Sequence, residues 1–174
     1  MKHNEGGPPA DLIEFCSAEY ERLVRFLSLY CGEPVLAEEL AQESLTQACR
    51  HWNSVRAMDN PRAWLRRVGV NAANSYFRRR ASEKRARARL EAEPVAVQIG
   101  DPADALAVRS ALASLSRRQR AVLLMRFFDD LSIRDIAACL DCSENIVKSL
   151  VRRGLAALRE TDVIREWKGA LSVY

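Results

Sequence analysis

Leu131-Ser-Ile-Arg-Asp-Ile-Ala-Ala-Cys-Leu-Asp-Cys-Ser-Glu-Asn-Ile-Val-Lys-Ser-Leu-Val-Arg-Arg-Gly-Leu155 reads as two helices joined by a short turn. Ser132 can cap the first helix, with Asp135 three residues later closing a capping box, and Ile133, Ile136, Ala137 and Leu140 share one face. Asp141-Cys142-Ser143 supplies the turn and Ser143 the next cap. Val147, Val151, Gly154, Leu155 and Leu158 then form an apolar stripe at helical spacing. The opposite edge carries Asn145, Lys148, Ser149, Arg152 and Arg153, side chains that can hydrogen-bond base edges and phosphates from a helix lying in the major groove. A helical hairpin with a merely solvated outer face fits the same pattern.

Working back from this motif, Ser116-x-x-Gln119 is a capping box, and the helix it opens runs through Ala121, Val122, Leu124, Met125 and Phe128 to Asp129-Asp130. Asp101-Pro102 with Asp104 starts another helix, whose apolar side is Leu106, Val108, Ala111 and Leu112 and which ends near Leu115. A four-helix unit over residues 103–160 is therefore expected, with a tail of 161–174. Residues 91–102 carry Pro94, small aliphatics and Gly100 without amphipathic period and mark a linker.

Before the linker, residues 11–90 form a second helical unit, preceded by a lead-in of residues 1–10. Asp11 with Glu14 has the form of a cap and capping box, and Leu12, Phe15, Cys16, Leu23, Phe26, Leu27 and Tyr30 line one side of a long helix. Gly32-Glu33-Pro34 breaks it. A helix from about Val35 to Trp52 buries Ala37, Leu40, Ala41, Ser44, Leu45 and Ala48 and turns Glu38, Glu39, Gln42, Glu43 and Gln47 outward. The stretch 53–60 lacks periodicity. Asn60-Pro61 then caps and opens a helix to about Arg80, with Trp64, Leu65, Val68, Ala72 and Tyr76 on one arc. Arg67, Asn71, Asn74 and Arg78 align on another arc, a mixture of guanidinium and amide groups suited to a nucleic-acid strand. Phe77 between them could stack on an unpaired base or belong to the core. Arg78-Arg79-Arg80 continues through Lys84, Arg85, Arg87 and Arg89, a cationic run suited to salt-dependent phosphate binding.

Formal charge is only +4, so the clustering of the 27 basic residues matters more than their excess over the 23 acidic ones. Five cysteines and no secretory leader suggest reduced thiols in a cytoplasmic protein. No stretch is long and apolar enough to span a bilayer. His3 and His51 are the only histidines, and no glycine-rich phosphate loop, Ser/His/Asp or Cys/His constellation is present, so no cofactor is assigned. Cys139-x-x-Cys142 has zinc or dithiol spacing but lacks two further ligands, leaving packing as the stronger reading and a metal site unexpected.

Taken together, Leu36-Ala-Glu-Glu-Leu-Ala-Gln-Glu-Ser-Leu45, Trp64-Leu-Arg-Arg-Val-Gly-Val-Asn-Ala-Ala73, and the run from Ala111 to Ser132 leading into Cys142-Ser143 and Val147-Lys-Ser149 resemble the extracytoplasmic-function sigma factors of bacterial RNA polymerase, over about Phe15 to Glu160. The resemblance implies an all-α chain of two small domains, sigma-two and sigma-four, with no domain between them and no amino-terminal inhibitory region. It implies a monomeric, non-enzymatic partner of core polymerase that contacts clamp helices and flap, binds promoter DNA, and is often held by an anti-sigma factor. Glu39, Gln42 and Glu43 would then dock the clamp helices. Asn60, Arg67, Asn71, Asn74, Phe77 and Arg78 would serve the −10 element, and Val55 to Arg62 would capture a flipped base. Asn145, Lys148, Ser149, Arg152 and Arg153 would read the −35 element, with residues near Val95 to Gly100 threading towards the active cleft. Asp141 stands where the family usually has glycine in the turn, Asn145 replaces another common glycine, and Leu150 stands where arginine is frequent.

Two other readings compete. A stand-alone helix-turn-helix regulator, typically dimeric, would need neither the acidic helix nor the 61–80 helix. A cysteine-dependent redox or metal enzyme would need a thiolate in an electropositive, partly exposed pocket.

Overall fold

Gly32 adopts a left-handed backbone with φ of 77°, which ends one long helix, and Pro34 occupies the first turn of the next. This break folds α1 (Ala10–Cys31) back on α2 (Pro34–Arg50), and both pack on α4 (Pro61–Arg87). The computed structural model describes residues 8–87 and 103–159, and every regular element among them is helical. A single turn, α3 (Trp52–Val55), follows α2, so the stretch expected to be irregular is partly helical; Trp52 and Val55 bury themselves against Leu12 and thereby order it. Asn60 caps α4 as expected, its Oδ1 accepting from the Ala63 amide at 3.0 Å. That helix runs seven residues beyond Arg80, because straight-chain arginine and alanine favour helix. The Asp11–Glu14 capping box does not form: Pro9 is the cap residue, without a side-chain bond, and Asp11 lies inside the first turn.

The second unit contains α5 (Ala103–Ser114), α6 (Arg117–Leu123), α7 (Ile133–Cys139) and α8 (Glu144–Arg159). The reciprocal capping box of Ser116 and Gln119 opens α6, and Ser132 Oγ accepts from the Asp135 amide at 3.0 Å to open α7. The helix does not continue regularly to Phe128. A π turn occupies Leu124–Phe128, the Asp129 amide reaching back five residues to the Leu124 carbonyl. Asp141 takes the left-handed conformation with φ of 49°, which turns α7 into α8. Gly154 lets α8 approach α6 closely, since a Cβ there would meet Leu123 Cδ1 at 2.9 Å. Leu150 is buried, so this position packs α8 rather than reaching for phosphate.

The two units share one hydrophobic cluster that extends from Leu23, Phe26 and Ala63 to Met125, Ile136 and Val147. α7 lies against α4, and the π turn lies against α1. The linker 91–102, including Val95 to Gly100, residues 1–7 of the lead-in, residue 160 and the tail 161–174 fall outside the described residues. The same holds for the Asp101-Pro102 cap and Arg89.

Candidate nucleic-acid interface

The outer edge of α8 is open. Asn145, Lys148, Arg152 and Arg153 are exposed and Ser149 is half-exposed, while Val147, Leu150, Gly154 and Leu158 anchor the inner face. Ser143 holds the helix start, its Oγ accepting from the Ile146 amide at 3.4 Å. A rigid amphipathic helix thus presents five polar side chains on one edge, the arrangement a groove-reading helix requires. Lys148 lies 3.8 Å from Glu144, an exposed i,i+4 pair that phosphate can displace.

In the first unit Glu38, Glu39, Gln42 and Glu43 are all exposed along α2, while Leu36, Ala37, Leu40, Ala41, Ser44, Leu45 and Ala48 are buried. Between α2 and α4 runs a groove of about 640 Å³ lined by Glu43, Gln47, His51, Trp64, Asn71 and Arg78 among others. The acidic face and part of the amide-and-guanidinium line therefore adjoin. Trp64, placed by the sequence on one arc with Leu65, Val68, Ala72 and Tyr76, is only half-buried and lines this groove, as does Arg79. An aromatic at the junction of an apolar arc and a polar one is a signal present in the sequence, but spacing alone assigns it to the core.

The remaining candidates of α4 are more confined. Arg67 and Asn71 are exposed at the rim of a smaller cleft of about 270 Å³, closed on the far side by Arg117, Arg118, Leu140 and Asp141 of the second unit. Asn74 is not free: its Oδ1 accepts from the Tyr30 hydroxyl at 2.9 Å. Phe77 is half-buried, edge-on to Tyr76, and the Arg117 guanidinium sits 4.4 Å from its ring centroid. Asn60 faces its own helix as a cap. Arg78 is exposed and donates to Ser75 Oγ.

Two charged groups of this region were not singled out by sequence. Arg66, completely buried, donates through Nε to Asp129 Oδ2 and through Nη2 to Asp129 Oδ1 at 3.0 Å and to Glu19 Oε2 at 2.9 Å. Glu19 falls on the apolar stripe of α1, between Phe15 and Leu23, so its buried position was legible from its spacing.

Cys139 is buried and donates to the Ala63 carbonyl oxygen at 3.0 Å, a packing role; burial and the nearby Asp135 push its thiol up to about 11. No cluster of three or more metal-ligating side chains occurs among the described residues, and none of their helices is long and apolar enough to cross a membrane.

Residues 16–83 match the family model for sigma-70 region 2, and residues 105–158 match that for sigma-70 region 4. The RNA polymerase sigma-E factor of Streptomyces antibioticus is 31% identical over 154 residues, which cover 88% of this chain and 86% of that protein. The chain belongs to the extracytoplasmic-function sigma factors of the sigma-70 family. The sigma-E factor of Streptomyces coelicolor is 29% identical over 92% of this sigma factor and 90% of its own length. Among solved structures, the sigma factor RpoE in complex with the anti-sigma factor NepR from Bartonella quintana aligns with a TM-score of 0.76 at 26% identity, covering 88% of this chain and 97% of that one. The region 2 match covers the unit that a stand-alone helix-turn-helix regulator does not need, so that reading falls away.

Proposed function

We propose that this RNA polymerase sigma factor works through two reading surfaces and one docking surface on the residues described above. The observation that carries this is the groove between α2 and α4, where the acidic docking face ends and the amide-and-guanidinium line begins at Glu43, Asn71 and Arg78. Glu39, Gln42 and Glu43 dock core polymerase. Arg67, Asn71 and Arg78, with Trp64 alongside, hold the melted −10 strand, and the 55–62 segment receives a flipped base. Asn145, Lys148, Ser149, Arg152 and Arg153 read the −35 element in the major groove. The units correspond to residues 11–90 and 103–160, joined by 91–102. The protein acts in the cytoplasm, is not an enzyme, and is a monomer when free.

The chemistry follows from the side-chain types. Opening a duplex costs stacking and pairing, which stacking on an aromatic and capture of phosphates and one extruded base offset. Two weak DNA contacts carried on one polymerase act at high effective concentration, so neither surface needs to bind tightly alone. The solved RpoE is held by an anti-sigma factor, and an anti-sigma partner is proposed for this chain by that likeness.

Run-off transcription from genomic fragments, with core polymerase and the purified chain, tests the reading. New start sites sharing two upstream motifs at fixed spacing are expected. Glu43→Lys should weaken core binding by at least about tenfold, or ~1.4 kcal/mol, with thermal stability unchanged. Failure of core to bind the unaltered chain would refute the reading.

A further inference from the structure

The α1–α2 hairpin brings two thiols together at its open end. Gly32 and Glu33 form the turn, and Cys16 stands sixteen residues before Gly32 while Cys49 stands sixteen after Glu33. An antiparallel pair of helices places such positions opposite each other. The contacts around them share this register. Asp11 pairs with Arg56 at 3.4 Å, Phe15 meets Trp52 with ring centroids 5.1 Å apart, and Leu12 packs with Trp52 and Val55 in a cluster that Phe15 and Cys16 join. Within it the thiol of Cys16 meets that of Cys49 in hydrogen-bonding reach.

The two thiols differ in access. Cys49 is exposed on α2, seven residues and so two helical turns after Gln42, whereas Cys16 is half-buried. Burial and the adjacent Cys49 push the Cys16 thiol up to about 11, which keeps it protonated near neutral pH. A dissolved oxidant therefore meets Cys49 first. Cys31 and Cys139 have other surroundings. Burial pushes Cys31 up to about 12, and its charged neighbours are Arg117, Arg120 and Glu33; Cys139 donates to the Ala63 carbonyl at 3.0 Å, beside Asp135 and Arg67.

We infer that Cys16 and Cys49 are a modification site, a dithiol pair that a hydroperoxide converts to a reversible disulfide across α1 and α2. The Cys49 thiolate attacks a peroxide oxygen; the O–O bond breaks, Cys49 becomes a sulfenic acid, and the departing hydroxide takes a proton and leaves as water. Cys16 then gives up its proton and attacks the Cys49 sulfur. The S–S bond forms, the S–O bond breaks, and the second hydroxide leaves with that proton as water. Two thiols are oxidised and one peroxide is reduced to two waters. Holding Cys16 against Cys49 offsets its weak acidity, because a fixed neighbour acts at high effective concentration. A dithiol reductant reverses the step by thiol–disulfide exchange. The bond closes residues 17–48 into a loop and fixes the end of the hairpin that the Gly32 turn leaves free. The pair lies outside both DNA-reading surfaces, and its chemistry depends on neither.

Hydrogen peroxide added to the reduced full chain tests the pair, with remaining thiols counted after unfolding and links mapped by peptide mass spectrometry without reduction. Two of the five thiols should disappear, dithiothreitol should return both, and the link should join the Cys16 and Cys49 peptides of one chain. Cys49→Ser, at an exposed position, should slow the loss at least about tenfold without endangering the fold. Cys16→Ser should strand Cys49 as a sulfenic acid that dimedone traps. The oxidised parent should melt about 5 °C or more above the reduced one, a rise absent from Cys49→Ser. A dimedone adduct on Cys49 of the parent with Cys16 still free would overturn the pairing. So would a Cys49 link between two chains, or a link through Cys139 or Cys142 in place of this one. Should Cys16→Ser fail to fold, the mapped link in the parent and the Cys49→Ser rates decide.

Discussion

The edge of α8 and the outward arc of α4 are both built as helix faces rich in amide and cationic side chains, yet one is open and the other is half covered. On α8 four of five candidates are exposed, and among the described residues none of their side chains bonds to another helix. On α4, Asn74 is tied to Tyr30, Phe77 lies under Arg117, and Arg67 and Asn71 edge a cleft roofed by the second unit. Whether such a face is open to a ligand is thus set by where the helix packs as much as by which residues it carries.

The largest effect that would separate the surfaces is expected on the open one. Lys148→Ala combined with Arg152→Ala should weaken promoter binding by about 100-fold and lower the slope of log K against log salt by about 2, read by filter binding across a salt series. Next, Asn71→Ala should reduce open complexes by about tenfold through lost base contacts, scored by permanganate reactivity of unpaired thymines. Its thermal midpoint should not move, because the side chain is exposed. Asn74→Ala should do the reverse: losing the bond to Tyr30 costs about 1 kcal/mol, a fall of about 2–4 °C in calorimetry. Equal stability losses in the two variants would erase the distinction between them.

The smallest effect concerns alkaline pH. Burial pushes the thiols of Cys16 and Cys139 up to about 11 and that of Cys31 up to about 12, against 9.0 for an ordinary thiol. The unfolded chain then gives up protons near pH 9 that the folded chain still holds. The stabilisation is complete below pH 9 and fades as pH rises towards 11. The melting midpoint should fall through that window, and replacing Cys139 by serine should flatten the fall.

Much of this was legible because local chemistry and tertiary packing agree. Ser116, Ser132, Ser143 and Asn60 cap the helices their positions announced, and Asp141 takes the left-handed turn that its short polar side chain tolerates. The outward placement of Glu39, Gln42 and Glu43, the proposed docking face, was legible too, since they fall opposite a buried stripe. What escaped depends on contacts distant in sequence. Arg66 sits next to Arg67 and carries the same charge, but one is completely buried and the other exposed, and only the carboxylates of Glu19 and Asp129 explain why. The π turn escaped for a similar reason: Leu124–Phe128 has an ordinary helical composition, and the wider turn appears only through the backbone bond from Asp129 to Leu124. Trp64 shares an arc with the buried Leu65, and spacing does not distinguish the wall of a groove from the core beneath it.

Hydroxyl-radical footprinting of the polymerase complex on one of its own promoters bears most directly on the central claim of two reading surfaces on one chain. Two protected patches about 25 base pairs apart are expected. Asn71→Ala should weaken the downstream patch and spare the upstream one, and Lys148→Ala should do the opposite. Loss of the same patch in both variants, or a single patch in the unaltered complex, would contradict the assignment of the two surfaces.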